Sequence, residues 1–231
     1  MQISHRYKFI FFSFPKTGSE SVRQLLAPFS DVPIVNYWEK TEDRPFYSHM
    51  SPAEVKALFK EKHWEYDDYY RFTFVRNPWA RMVSLYNMIY HTKPAAGIGG
   101  KIKALLSKHK KPSFKQWLIT TEPGGRGAGG PANQRWRVYG SYSIENYIKD
   151  EAGRILVDKV IKLEDINEEL PPLLQTLALP DAENMIIPRI NTRKRKNYAD
   201  YYDDESRQII AQRYKYDIEH FDYHFSDIIQ S

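Results

Sequence analysis

The sequence predicts an α/β domain with a mostly parallel sheet, because short apolar runs alternate with amphipathic segments along the chain. The runs at residues 8–14 (KFIFFSF) and 71–75 (RFTFV) are rich in aromatic and β-branched residues, as expected of strands buried on both faces. A third strand is predicted at residues 155–163. Ligands of such sheets bind at the carboxyl ends of the strands, which directs attention to the turns that follow these runs.

Composition limits the class of protein. The chain has 231 residues and is 42% hydrophobic, enough for one sizeable core, and we expect a single domain over residues 1–231. The absence of cysteine excludes disulfides, thiolate metal sites and a catalytic thiol. No apolar stretch reaches the length of a signal-peptide core or a membrane span, so we expect a cytoplasmic protein without a transmembrane segment. The net charge of +5 favours anionic partners without choosing among them.

Helices in the first half of the chain are indicated by periodicity and capping. After the first strand, residues 22–29 place apolar side chains at the i, i+3, i+4, i+7 spacing of one helical face. Ser51 and Glu54 form a capping box for a second helix, whose apolar side includes Val55. Asn77, directly before a proline, is the predicted N-cap of the helix that follows RFTFV.

Helices in the second half are predicted from the same signals. Residues 113–120 (SFKQWLIT) indicate a short helix, and residues 164–179 one or two helices with a restart at Pro171 and Pro172. Residues 203–221 are predicted to form one final amphipathic helix.

The stretch PKTGSES follows the first strand and has the chemistry of an anion site. Gly18 lets the backbone curl, and the amides at the start of the helix point together beside Lys16. Thr17, Ser19 and Ser21 add hydroxyl donors. The alternative is a capped helix start with an exposed lysine, but the strand before and the helix after favour anion binding.

The turn is not a Walker A loop. That motif places its lysine after a second glycine, whereas Lys16 precedes Gly18 and no glycine lies upstream. RFTFV is followed by Arg76 and Asn77 where a nucleotide kinase would hold magnesium with an aspartate. We therefore expect side-chain cations and amides to bind the anion without a metal.

The stretch FVRNPWARMVSLY is a second candidate anion site. Arg76 lies where a strand meets a helix, and Ser84 follows two turns down that helix. An arginine fork with a hydroxyl suits a phosphate monoester. Arg81 is a further candidate, although a surface salt bridge is its expected role.

Together the two stretches resemble the 5′-phosphosulfate and 3′-phosphate motifs of sulfotransferases that use 3′-phosphoadenosine 5′-phosphosulfate (PAPS). The likeness is closest to the carbohydrate branch, the sulfotransferase family 2 type. It extends to YSHMSPAEVK, to DKVIKLEDI and to the C-terminal region, so it covers most of the chain. It implies a P-loop-like, three-layer fold with a central, mostly parallel sheet flanked by helices.

The resemblance also implies roles for individual residues. The 5′-phosphosulfate would be bound by residues of the first turn: Lys16, Thr17, Gly18, Ser19 and Ser21. The 3′-phosphate would be bound by Arg76 and Ser84. Within the basic run at residues 193–196, Arg193 and Lys194 would help to close over the donor, unless the run is a solvated loop.

Transfer from PAPS to a hydroxyl requires a leaving-group cation and a base. Lys16 would neutralise charge on the bridging oxygen as the product PAP leaves, without a metal. His49 is the first choice of base, because its ordinary pKa lies near neutrality and it matches a catalytic histidine of glycan 2-O-sulfotransferases. It could instead pack on the helix after Ser51. Glu20, unusual for the family at that place, is the alternative base.

The acceptor is expected to be a carbohydrate or glycolipid. Basic residues between 101 and 111 would suit an acidic polysaccharide, although a solubilising helix face is their expected role. Aromatic residues near glycine-rich loops 97–100 and 124–130, Tyr90 or Trp136 among them, could stack on sugars. The alternatives are a P-loop-like nucleotide kinase and an inactive module binding PAP or nucleic acid. No RRM, KH or helix-turn-helix pattern supports nucleic-acid binding.

Overall fold

The structure is a computed structural model that describes residues 1–91, 112–121, 140–188 and 197–226. In these ranges the strands are β1 (Gln2–Ser4), β2 (Phe9–Phe12), β3 (Tyr70–Val75) and β4 (Lys159–Lys162). The α-helices are α1 (Ser19–Leu26), α2 (Pro52–Glu61), α3 (Pro78–His91), α4 (Phe114–Thr120), α5 (Ile144–Ile148), α6 (Ile166–Thr176), α7 (Asp204–Arg213) and α8 (Lys215–His220). None of these helices is long and apolar enough to cross a membrane.

The four strands form one mixed sheet in the order β1-β2-β3-β4. β2, β3 and β4 are parallel, with Phe11 level with Phe72 and Phe74 level with Ile161. β1 is antiparallel to β2 and forms the edge. The predicted α/β class with a mostly parallel sheet is therefore confirmed.

Helices cover both faces of the sheet. Alternate strand residues, including Phe9 and Phe11, pack with α1 and α6 in one buried cluster. Their neighbours Ile10 and Phe12 point to the other face, where α2, α3 and α5 contribute to a second cluster. The described part of the chain is thus a three-layer α/β/α arrangement.

Two elements of the structure, β1 and α5, were not predicted from the sequence. β1 is a three-residue edge strand, too short to show an alternating pattern. α5 has five residues and is capped by Ser143, whose side chain accepts a hydrogen bond from the amide of Asn146. β4 is also shorter than the predicted 155–163, because Ile155 instead bridges to Lys149.

The predicted restart at Pro171 and Pro172 is wrong, because both prolines lie inside the continuous helix α6. They cannot donate backbone hydrogen bonds, which weakens a helix interior. Leu170, Leu173 and Leu174 are buried against the sheet from the same helix. Burial of these three side chains outweighs the two missing donors.

The predicted final helix is two helices, α7 and α8, separated at Tyr214. Tyr214 departs from helical geometry with φ −117° and ψ 32°. Its ring is buried, and its hydroxyl donates to the carbonyl oxygen of Ser141. Packing of this side chain into the core explains a break that the helical periodicity of the sequence does not show.

Candidate functional site

The turn between β2 and α1, residues 13–18, curls at two left-handed positions. Lys16 has φ +69° and Gly18 has φ +68°, separated by Thr17. Such alternation brings successive amide groups into a concave arrangement that suits an anion. No side chain caps α1, so its first-turn amides point towards the turn with the positive end of the helix dipole. The backbone has the form that the PKTGSES stretch predicted.

Position 18 favours glycine. Its φ is one that L-residues rarely adopt, and a Cβ built there would lie 2.7 Å from Cδ1 of Leu163. Leu163 follows β4 directly, so the third parallel strand packs its end against the first turn. Gly18 thereby lets two strand ends approach each other at the site.

The hydroxyl residues of the turn differ in their surroundings. Thr17 is fully buried, and its Oγ1 donates to the carbonyl oxygen of Phe14 at 2.8 Å. Ser19 is 8% exposed at the first position of α1, and the amide of Ser21 donates to the carbonyl of Gly18 at 3.2 Å. The Thr17 hydroxyl therefore gives its hydrogen to a bond within the turn, which helps to hold the turn closed.

The second motif lies against the first. Nη1 of Arg76, in the turn after β3, donates to the carbonyl oxygen of Lys16 at 3.4 Å. Nζ of Lys16 in turn lies 3.5 Å from Sδ of Met88, one helical turn beyond Ser84 on α3. Ser84 itself is 6% exposed. The predicted meeting of the two motifs at one sheet edge is confirmed, and Lys16 lies between the β3 turn and α3.

A carboxylate that the sequence patterns did not single out fastens the second turn. Oε1 of Glu164 accepts from the amide of Asn77 at 3.0 Å, and Oε2 accepts from the hydroxyl of Tyr223 at 3.0 Å. Asn77 caps α3 through its Oδ1, which accepts from the amides of Trp79 and Ala80. Glu164 lies just after β4, the third parallel strand, at the same end of the sheet. Its place after a predicted strand was the feature of the sequence that could have identified it as a site residue.

His49 is held beside the first turn as a neutral imidazole. Its Nδ1 is 2.8 Å from the carbonyl oxygen of Ser13, which can only accept, so Nδ1 carries the hydrogen. Desolvation by burial lowers the pKa of His49 from 6.5 to about 4, aided by the charges of Arg23 and Lys16 and opposed by the Ser13 hydrogen bond. Nε2 therefore presents a lone pair at neutral pH, as a general base must.

Glu20, the alternative base, is paired with a neighbouring cation on its own helix. It is exposed in the first turn of α1, and its Oε2 lies 3.5 Å from Nη2 of Arg23. A carboxylate there also favours the helix dipole. The structure thus gives Glu20 a local electrostatic partner.

A comparison of the chain with models of protein families identifies the family to which it belongs. A model described as "Sulfotransferase family", of the family 2 type, matches residues 1–224 of the 231. The chain belongs to the sulfotransferase family. No curated protein matches the chain. Membership of this family supports sulfuryl transfer as the reaction, in agreement with the two anion motifs of the sequence.

Arg81 has a different role in this sulfotransferase from the expected surface salt bridge. It is fully buried, and its two terminal nitrogens donate at 2.7 Å to the carbonyl oxygens of Gly140 and Tyr142. Its guanidinium also lies over the ring of Phe14, 4.6 Å from the centroid. The prediction failed because helical spacing alone cannot show that α3 is covered on this side.

Several predicted contributors of this sulfotransferase lie outside the described residues. They are Arg193, Lys194, Trp136, both glycine-rich loops and the basic residues between 101 and 111. The chain that follows Lys194 is described from Asn197 and packs on α3. The Tyr201 hydroxyl donates to Oδ1 of Asn87 at 3.2 Å, and that of Tyr202 to the carbonyl of Trp79 at 2.9 Å.

Proposed function

We propose that this sulfotransferase transfers the sulfuryl group of PAPS to a hydroxyl group of a carbohydrate or glycolipid acceptor. The observation that carries the proposal is the contact between the two cationic turns, where Arg76 donates to the backbone of Lys16. Two adjacent cations of this kind suit a ligand with separate anionic ends. A neutral histidine beside the same turn supplies the base that a hydroxyl acceptor requires.

The donor would be bound by both turns. Lys16, the amides of Gly18 and Ser19 and the hydroxyl of Ser21 would bind the 5′-phosphosulfate, supported by the left-handed turn and the α1 N-terminus. The Thr17 amide would join them, while its side chain keeps the turn closed. Two residues of the second motif, Arg76 and Ser84, would bind the 3′-phosphate. Arg193 and Lys194 are proposed to close over the same ligand.

The chemical step needs a proton acceptor and charge neutralisation. PAPS, when bound, supplies a sulfuryl group joined through oxygen to a phosphate leaving group. Nε2 of His49 would take the proton as the acceptor oxygen forms its bond to sulfur, and Lys16 would stabilise the negative charge on the oxygen whose bond to sulfur breaks. His49 is favoured over Glu20 because Ser13 fixes its tautomer, while the Glu20 carboxylate is paired with Arg23.

The acceptor class is supported by the likeness of both motifs to the carbohydrate branch of the family. The direct test incubates the protein with ³⁵S-labelled PAPS and a panel of neutral and acidic glycans and glycolipids. Transfer of label to a glycan hydroxyl is expected. Binding of PAP without transfer to any acceptor of the panel would contradict the proposed activity.

The donor site is tested separately by calorimetry with PAP. Arg76→Ala should weaken PAP binding by about 10- to 100-fold, the value of a lost charge-assisted hydrogen bond. Arg154→Ala is the matched control, because Arg154 is a well-exposed arginine that precedes β4, at the end of the parallel strands opposite the proposed donor site. Equal affinities for wild type and Arg76→Ala would remove Arg76 from the donor site.

A further inference from the structure

The end of β4 supports both of the turns that the proposed donor would contact. Leu163 packs on Gly18 in the turn after β2, where a built Cβ would lie 2.7 Å from its Cδ1. The next residue, Glu164, accepts a hydrogen bond through Oε1 from the amide of Asn77 in the turn after β3, at 3.0 Å. Two consecutive residues thus contact one turn each, so the end of this strand connects the two turns.

The amides at the start of α3 are engaged by side chains. Pro78 has no amide hydrogen. The amides of Trp79 and Ala80 donate to Oδ1 of Asn77 at 3.1 Å and 3.3 Å, and the amide of Asn77 itself donates to Glu164. The start of α1 differs, because no side chain caps it. A phosphate at the second turn therefore has to be bound by side chains, whereas one at the first turn can be bound by backbone amides.

Glu164 is fixed from its other side by the C-terminal part of the described chain. Its Oε2 accepts from the hydroxyl of Tyr223, which is 2% exposed, at 3.0 Å. Burial, aided by the Glu164 charge, raises the pKa of Tyr223 well above its usual range, so this hydroxyl remains a donor. Nδ2 of Asn77 donates to the carbonyl oxygen of His224 at 2.9 Å. Residues 223 and 224 therefore hold both the carboxylate and the turn that the carboxylate supports.

Arg76 is the residue whose position depends on these contacts. It directly precedes Asn77, and its Nη1 donates to the carbonyl oxygen of Lys16 at 3.4 Å. β3 ends at Val75, so the strand fixes Arg76 on one side and the Glu164 hydrogen bond fixes it on the other. A long side chain with several rotatable bonds reaches a chosen point only when its backbone is held. Loss of the Glu164 contact should thus affect the part of a ligand that Arg76 binds more than the part bound at the first turn.

We propose that Glu164 is a positioning residue for Arg76, and that through it the protein discriminates a nucleotide with a 3′-phosphate from the same nucleotide without one. The proposal rests on the proposed function, because it takes Arg76 as the ligand of the 3′-phosphate. Glu164 acts without touching the nucleotide. Its carboxylate, which is tied to Tyr223, also makes the segment after α8 a part of donor recognition.

The test compares PAP with adenosine 5′-monophosphate (AMP), which lacks only the 3′-phosphate, by calorimetry. Wild type should bind PAP more tightly than AMP. Glu164→Ala should weaken PAP binding by about tenfold and leave AMP affinity unchanged, so that the ratio of the two affinities falls. Tyr223→Phe removes one of the two donors to the carboxylate and should weaken PAP binding by about threefold. Glu164→Gln keeps an oxygen for the Asn77 amide and should give a PAP affinity between wild type and Glu164→Ala. If urea unfolding shows that Glu164→Ala does not fold, the two milder variants give the same comparison.

A double variant shows whether Glu164 acts through Arg76. If it does, adding Glu164→Ala to Arg76→Ala should cause no further loss of PAP affinity. Glu54→Ala is the matched control, because Glu54 likewise accepts from a backbone amide, that of Ser51 at 2.8 Å, and from a tyrosine hydroxyl, that of Tyr47 at 2.7 Å. It should leave the ratio of PAP to AMP affinity unchanged.

The outcomes separate this proposal from the proposed function. Unchanged PAP affinity in Arg76→Ala would remove the donor site on which both depend. A loss of PAP affinity in Arg76→Ala together with an unchanged ratio in Glu164→Ala would overturn only the positioning role. Equal losses of PAP and AMP affinity in Glu164→Ala, or additive losses in the double variant, would show that Glu164 supports the fold without selecting the 3′-phosphate. Equal binding of PAP and AMP by the wild type would contradict the selection itself.

Discussion

Leu163 packs against Gly18 so closely that a Cβ at position 18 would lie 2.7 Å from its Cδ1. The contact joins the end of β4 to the turn after β2, the proposed site of the 5′-phosphosulfate. The φ of +68° favours glycine at this position, and the absence of a Cβ lets Leu163 pack directly on the turn.

Gly18→Ala should destabilise the protein by about 1 to 2 kcal/mol through left-handed strain, plus a smaller cost because the end of the Leu163 side chain must move aside. Gly153→Ala is the control, because Gly153 has φ +78° but no atom within 4 Å of its built Cβ. It should cost only the backbone part, about 1 to 2 kcal/mol. Urea unfolding measures both, and the double variant Gly18→Ala with Leu163→Ala should recover the steric part. Equal costs for the two glycine variants would show that the Leu163 side chain moves aside without cost and that only the backbone strain remains.

Lys16 is a non-glycine residue held at φ +69°, where glycine is more favourable. Lys16→Gly should therefore be about 1 kcal/mol more stable than Lys16→Ala, although both remove the ammonium group. Both variants should lose PAP binding in calorimetry. Thermal or urea unfolding separates the backbone effect from the charge effect, and retained PAP affinity in either variant would show that the Lys16 side chain is not part of the donor site.

The conformation and position of the two turns could be predicted because local chemistry determines them. Gly18, Lys16 and Arg76 lie at strand-to-helix junctions, where the sequence carries turn, cap and charge signals together. Their contact follows from parallel pairing of β2 with β3, which a buried apolar run indicates. The Asn77 cap and the Ser51 capping box were predicted for the same reason.

The parts that escaped prediction depend on contacts between distant segments. Glu164 fastens Asn77 across 87 positions of sequence, and Arg81 reaches the carbonyls of Gly140 and Tyr142. Tyr214 interrupts a helical pattern because its ring enters the core. Such long-range packing overrides local propensity and leaves no periodic trace. The lowered pKa of His49 likewise depends on burial, which its residue type does not reveal.

The pH dependence of catalysis should reflect the low pKa of His49. Because its pKa is about 4 in the free protein, the imidazole is already deprotonated at pH 5, and kcat/KM should stay level between pH 8 and about 5. The acidic limb should fall near pH 4, not near the ordinary histidine value. His49→Gln should lower kcat by about 10²- to 10⁴-fold.

The control for His49 is His63→Asn, an exposed histidine at φ +57°, a conformation that asparagine tolerates. It should leave the rate and the pH profile unchanged. Glu20→Gln tests the alternative base, and a loss of kcat in that variant larger than in His49→Gln would transfer the role to Glu20. An acidic limb near pH 6.5 in the wild type would show that the imidazole is not desolvated as described.

Asp217 should lower the free energy of unfolding as pH rises, whereas a carboxylate that is stabilised by an ion pair raises it. It is fully buried, and desolvation raises its pKa to about 6, opposed by Arg81 and by the hydrogen bond from the amide of Ile144. The folded state therefore holds a proton that the unfolded chain releases from about pH 4 upward. This contribution is fully present below pH 4 and is lost as pH rises through 6, with a total on the order of 3 kcal/mol.

Asp217→Asn should abolish that loss, because an amide does not titrate. Urea unfolding at several values between pH 4 and pH 7 gives the slope of the unfolding free energy for wild type and variant. The slope of the variant should be more positive throughout this window. His49, whose lowered pKa makes stability rise from pH 4 to 6.5, partly hides the effect in the wild type. Asp222→Asn, whose side chain is 92% exposed, is the control and should keep the wild-type slope. Identical slopes for wild type and Asp217→Asn would mean that Arg81 keeps the Asp217 carboxylate ionised across the whole range.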